Sequence, residues 1–189
     1  MKKGGSNLIK LIFRKIKAKI KGERTIEDLI RNGLKLGKNV NIQPGVLFDY
    51  GHCWLISIGD NCTLAPRVHV LAHDASTIRH IGYAKIGKVT IKENTFIGAG
   101  TIILPGVTIG KNVIIGAGSV VSKNIPDNVV AVGSPAKAIC STKDYINKHK
   151  EDMKSKPIYS EEWTVNGGIS IDKKFEMNED LKNSIGYTK

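Results

Sequence analysis

Aliphatic residues recur at strict six-residue spacing, Ile91, Ile97, Ile103, Ile109, Ile115 and Val121, and no other feature of this chain constrains its fold as tightly. Four positions after each stands a small or β-branched residue: Thr95, Thr101, Val107, Val113, Ser119 and Ile125. An α-helix repeats every 3.6 residues and a strand every two, so neither keeps this period. A repeat of six with glycine beside the aliphatic residue, as at Gly98, Gly110 and Gly116, predicts a parallel β-helix. Each hexad supplies one short strand and one tight corner, and three hexads close a triangular coil.

The coil length is visible inside the chain, because Ile97-Gly98-Ala99-Gly100-Thr101 returns as Ile115-Gly116-Ala117-Gly118-Ser119. With successive coils roughly 4.8 Å apart, Ile91 is expected over Ile109, Ile97 over Ile115 and Ile103 over Val121. Three internal aliphatic ladders then form the core. The pattern continues upstream through Leu36, Ile42 and Phe48, slips by four residues, and resumes at Ile58, Leu64 and Val70, with partners such as Val40, Val46, Cys62 and Val68. Pro44-Gly45 and Pro105-Gly106 read as corners, where glycine relieves a positive φ.

Between Asp74 and Ile86 no hexad fits, so the chain must leave the coil and return; an excursion of that length in a compact repeat is usually functional or disordered. The expected organisation is a basic helical extension over residues 1–35, the β-helix over 36–140 with its excursion near 74–86, and a C-terminal helix and packed tail over 141–189. The fold class is therefore all-β with short helical extensions at both ends. Thr25 and Asp28 have the spacing of a capping box for a short helix ending near Asn32-Gly33. Lys143 to Lys156 is polar with high helix propensity. Trp163 and Tyr187 give the final stretch enough apolar punctuation to pack on the coil or on a neighbour.

The net charge is +12, and most of it is N-terminal: through Lys38, twelve Lys and Arg stand against Glu23, Glu27 and Asp28. Ile9, Ile12, Phe13, Ile16 and Ile20 recur at helical spacing opposite Lys10, Arg14, Lys17 and Lys21. Such a helix serves to cap the open end of the coil, and a peripheral contact with an anionic membrane is its alternative use. Nucleic acid fits poorly, since no recognised binding motif or aromatic-interleaved basic stripe accompanies the charge. The N-terminal apolar residues are interleaved with lysine rather than forming a continuous run, which reads as cytoplasmic, at most peripheral at the inner membrane face. Three cysteines without framework spacing argue against a disulfide scaffold.

Ile103-Leu104-Pro105-Gly106-Val107-Thr108-Ile109-Gly110, then Ile125-Pro126-Asp127-Asn128-Val129-Val130 and Gly133-Ser134-Pro135-Ala136-Lys137, resemble the hexapeptide-repeat acyltransferases, in the maltose/galactoside and polysaccharide O-acetyltransferase branch. The resemblance covers roughly residues 36 to 140. It implies a left-handed coil, against the right-handed hand that β-crossovers usually take. It also implies acetyl-CoA as co-substrate, a saccharide acceptor, direct transfer in a ternary complex, and a homotrimer with active sites between subunits.

Moving an acetyl group from a thioester to a hydroxyl requires a base for the hydroxyl proton and a donor for the tetrahedral oxyanion. Histidine suits the first task, being mostly neutral at physiological pH. His73, ending the strand that precedes the excursion, stands where the resembled family places its catalytic histidine. His69 lies on the same side of the strand and His52 in the four-residue slip, so both are candidates for acceptor contacts. Asp49 resembles a family carboxylate that binds the acceptor, while Asp74 points away from His73 if the strand continues. By the same resemblance Ala99 and Ala117 present backbone amides to the pantetheine arm, Ser122 and Lys123 lie near the adenine end, and Lys137 contacts a phosphate. Cys140 departs from the pattern, since relatives often carry a second basic residue there.

Three alternatives stay open. The acceptor is an amino sugar or a small drug rather than a hydroxyl; or His52, His69 and His73 hold zinc as in the γ-carbonic anhydrases; or the chain is a non-catalytic scaffold. No metal is expected in the favoured reading.

Overall fold

The computed structural model describes residues 24–189, so the amphipathic helix expected over residues 7–21 lies outside the described residues. The chain divides into two units, one running through Thr142 and the other spanning Lys143–Lys189.

In the first unit, strands of two or three residues stack in parallel on three faces, with one longer strand near the end. The first face carries Lys35–Leu36, Ile56–Ile58, Val89–Ile91 and Thr108–Ile109. The second carries Asn41–Ile42, Thr63–Leu64, Phe96–Ile97, Ile114–Ile115 and Val129–Val132, and the third Leu47–Phe48, His69–Val70, Ile102–Ile103 and Val120–Val121. Ile91 pairs with Ile109, Ile97 with Ile115 and Ile103 with Val121, in the register that the hexads predict. Upstream, Leu36 pairs with Ile58, Ile42 with Leu64 and Phe48 with Val70, the extra residues of that coil forming the short 3-10 helix Tyr50–Leu55.

The ladders are the core: Leu64, Val70, Ile97, Ile103, Ile109, Ile115 and Val121 are fully buried, each worth about 1.5–3 kcal/mol of transfer free energy. The polar inward positions are tolerated because their hydroxyls find corner carbonyls. Thr95 Oγ1 donates to Gly110 O at 2.8 Å and Ser119 Oγ to Gly116 O at 2.7 Å. At the corner from first to second face, asparagine occupies the left-handed region in coil after coil: Asn39, Asn61, Asn94, Asn112 and Asn128. Their amides bridge coils, Asn39 to Asn61 at 3.1 Å, Asn61 to Asn94 at 3.2 Å and Asn112 to Asn128 at 2.8 Å.

Both ends of the coil are covered. Thr25 and Asp28 form the capping box of helix α1 (Ile26–Arg31), and Leu29 and Leu34 join the core. At the far end Lys137–Ser141 folds back antiparallel on Val129–Val132, removing an open strand edge. The excursion is a closed lobe rather than an open loop. His73–Asp74 pairs antiparallel with Lys85–Ile86, Lys85 lies 3.3 Å from Asp74, and the Gly87 N–H returns to Ala72 O at 3.0 Å.

The second unit begins within helix α2 (Thr142–Asp152) and contains helix α3 (Ile171–Asp180) and a parallel pair, Ile158–Tyr159 with Tyr187–Thr188. Tyr159 is its buried centre, its hydroxyl donating to Asp180 Oδ2 at 3.1 Å and its ring 5.1 Å from that of Trp163.

Candidate active site

At the corner from third to first face, the chain after Phe48 turns into the 3-10 helix capped by Asp49, whose Oδ1 accepts the His52 N–H at 3.2 Å. Cys53 is buried beneath this turn, its thiol donating toward the carbonyls of Leu29 and Asn32 at 3.6 and 3.4 Å. That anchor leaves His52 and Trp54 on the outer side.

One coil later Val70 and Ala72 point inward and His73 opens the excursion. The Ala72 N–H donates to Asp49 Oδ2 at 3.0 Å, and the same oxygen is hydrogen-bonded to His73 Nδ1. The Asp49 side chain is 2% exposed and that of His73 40%. A buried carboxylate thus holds a solvent-accessible imidazole. Burial works against the charge of Asp49, but the hydrogen bonds from His73 and the Ala72 N–H outweigh it and hold its carboxyl below the usual range. An ionised Asp49 accepts, so Nδ1 carries the proton and Nε2 keeps a free lone pair.

The His52 ring lies 5.0 Å from that of His73 and 5.4 Å from that of Trp54. Its Nδ1 is sealed from solvent, 3.7 Å from Asp49 Oδ1, with no hydrogen-bond partner among the described residues. One donor atom each from Asp49, His52 and His73 falls within 4.8 Å of the others, a set chemically able to hold a small divalent cation. The zinc alternative draws on His69 instead, and the structure does not bring His69 into that group. It stands on the third face, paired with Leu47 and Ile102.

Asp49 is the residue whose place differs most from expectation. Expected at the acceptor, it is buried, with its carboxylate on His73 Nδ1 and the Ala72 N–H. The separation of 24 residues hides the pairing, because it is one coil lengthened by the slip, plus the offset of His73 from Val70, less the one residue from Phe48 to Asp49. Aligning Phe48 with Val70 is the signal that finds it. Trp54, half exposed beside His52, carried no hexad signal.

The other predicted residues occupy separate places. Ala99 and Ala117 sit at the corner from second to third face, on adjacent coils joined by the Gly118 N–H to Ala99 O at 2.8 Å. The N–H groups of Ala99 and Ala117 find no acceptor among the described residues, and Gly100 and Gly118 beside them leave open space where a side chain would stand. Such a cradle fits an extended amide-bearing arm. Ser122 and Lys123 are exposed just after Val121, and Lys137 is exposed at the start of the antiparallel strand.

Residues 88–123 match the family described as bacterial transferase hexapeptide (six repeats). Protein CapG of Staphylococcus aureus is 40% identical over 157 residues, an alignment spanning 79% of this chain and 91% of CapG. The galactoside O-acetyltransferase of Lactococcus lactis is 40% identical over 121 residues, 59% of this chain and 55% of that protein. A galactoside acetyltransferase solved in complex with coenzyme A superposes with a TM-score of 0.50 at 32% identity, covering 63% of this chain and 70% of the other.

Proposed function

The chain belongs to the hexapeptide-repeat acetyltransferase family, whose fold is the left-handed parallel β-helix, and from that premise we propose that it moves an acetyl group from acetyl-CoA to a hydroxyl of a saccharide, with His73 as general base. The observation that carries this reading is the imidazole of His73 held on buried Asp49 at the mouth of the excursion.

In the reaction, His73 Nε2 takes the hydroxyl proton as the oxygen attacks the thioester carbonyl. Asp49 keeps the proton on Nδ1 and stabilises the imidazolium that forms, acting as a positioning residue. A backbone N–H near Gly98-Ala99 holds the tetrahedral oxyanion. The C–S bond then breaks, and the departing thiolate of coenzyme A takes the proton from His73. No covalent enzyme intermediate and no metal enter.

The N–H groups of Ala99 and Ala117 receive the pantetheine arm, Ser122 and Lys123 the adenine end, and Lys137 a phosphate. Ala99 and Ala117 belong to the corner from second to third face, whereas His73 belongs to the corner from third to first. A homotrimer that sets the amide corner of one subunit beside the histidine corner of the next completes the site. His52 and His69 are left for hydroxyls of the acceptor. The coil over residues 36–140 is the catalytic domain, working in the cytoplasm on the acetyl-CoA pool, and the positive charge of the N-terminal sequence suits a peripheral membrane contact. Among the described residues no helix is long and apolar enough to cross a membrane.

The test is acetyl-CoA turnover against galactosides, maltooligosaccharides and amino sugars, followed by thiol release and by mass of the product. Acetyl ester formation that His73→Ala abolishes supports the assignment. An amide product selects the amino-sugar alternative, and a fully active His73→Ala variant removes the base.

A further inference from the structure

We propose that Trp54 is the acceptor platform: its indole takes the apolar face of a pyranose ring and so presents a hydroxyl to His73. This rests on the acetyltransferase reading above and names the part of the site that selects the acceptor.

Trp54 is 53% exposed, yet its backbone is fixed on both sides. Cys53 before it is fully buried and hydrogen-bonded to the α1 end, and Leu55 after it packs against the core. Beneath it runs Gly33, with φ of +102°, where an added Cβ would lie 2.8 Å from the Trp54 Cβ. The turn at Gly33 is itself tied, its N–H bonded to Ile30 O at 2.9 Å and that of Leu34 to Leu29 O at 3.0 Å. A large aromatic side chain held outward on a rigid support, rather than packed away, is a recognition surface.

Its neighbours decide what it recognises. Trp54 contacts the ring of His52 and His52 that of His73, so the indole stands two ring contacts from the base. Tyr50 begins the same turn, but the Arg24 guanidinium already lies 4.6 Å over its ring. Among the described residues the indole of Trp54 has no such cover: its ring contact is with His52. A pyranose turns several C–H groups to one side and its hydroxyls to the rim, so an indole satisfies the first while His52 reaches the second. An acyclic, highly charged acceptor would gain nothing from this surface.

The chain has two tryptophans, Trp54 and Trp163. In the full chain carrying Trp163→Phe, the emission of Trp54 is titrated with methyl β-galactopyranoside, with maltose and with glycerol as an acyclic polyol, in the absence of acetyl-CoA. A saturable change with a pyranoside and none with glycerol supports the platform. No response to either sugar overturns it, and so does an emission change that follows protein concentration alone, which assigns the indole to a contact between copies of the chain.

In turnover, Trp54→Ala raises the KM of the accepted saccharide by about tenfold or more. The KM of acetyl-CoA holds steady, and Trp54→Phe recovers most of the loss. An unchanged acceptor KM in Trp54→Ala overturns the inference while leaving the acetyltransferase reading intact. A wild-type chain that releases no thiol with any acceptor overturns that reading instead, and the emission titration then decides the platform separately.

Discussion

Replacing Asp49 with asparagine changes one atom of a carboxylate that three donors converge on, and its effect follows from that geometry. Oδ1 accepts the His52 N–H, and Oδ2 accepts both the Ala72 N–H and the His73 Nδ1–H. If the amide nitrogen takes the Oδ2 place, it faces the Ala72 N–H and presses His73 Nδ1 into an acceptor role. The ring proton then moves to Nε2 and the base is lost. If it takes the Oδ1 place, His73 keeps a neutral acceptor and loses only the charge. A hydrogen bond to a charged group contributes about 1.5–3 kcal/mol and a neutral one about 0.5–1.5, and each 1.36 kcal/mol is tenfold in rate, so the milder outcome, losing the difference of about 1–1.5 kcal/mol, lowers kcat by about 5- to 12-fold. With the wrong tautomer the loss approaches about 10⁴-fold, the full range of general-base catalysis. The KM of acetyl-CoA should hold, because Ala99 and Ala117 lie at another corner. Thiol release from acetyl-CoA measures both constants, with the background of the partly exposed Cys140 subtracted. A folded Asp49→Asn variant whose kcat stays within about threefold of wild type would refute the dyad.

Asp49 also sets an acid limit. Its carboxyl is held below the ordinary value, so its ionisation contributes stability that is complete above about pH 4 and is lost as pH falls toward the depressed native value. Chemical denaturation between pH 5 and pH 2 should show a steeper loss in wild type than in Asp49→Asn. Asn112 tests the corner ladder: at φ of +53° and bonded to Asn128, its replacement by alanine should cost about 1–2 kcal/mol in a urea titration, and replacement by glycine distinctly less. Dialysis against a chelator should leave acetyl transfer unchanged, and activity restored only by added Zn²⁺ would show that Asp49, His52 and His73 hold a working metal. Ile103→Ala, at a fully buried ladder position, should lower stability by about 2–5 kcal/mol.

The fold was legible because its signal is local and repeated. The aliphatic positions at six-residue spacing each bury one side chain, and the repetition sets the register of the whole stack. The corner asparagines were readable in principle as well, since asparagine tolerates a positive φ where glycine is absent. Cys62 and the small residues four places after each aliphatic one fell inward as the hexads predict.

The candidate site was only half legible. His73 stands out as chemistry at the edge of an excursion, and Ala99 and Ala117 stand out because their pentads repeat. Asp49 could be named but not placed, because its partner comes from the next coil and the slip shifts the offset. Trp54 had no pattern to announce it.

What the sequence determined alone is the coil, its ladders and the breaks in them, because burying one aliphatic stripe per hexad is a property of spacing along the chain. Only the tertiary structure decided which carboxylate meets His73, which nitrogen of that ring stays free, and which aromatic ring stands exposed beside it among the described residues. Those are contacts across coils, where an insertion of four residues redirects a side chain without disturbing the hydrophobic period that builds the stack.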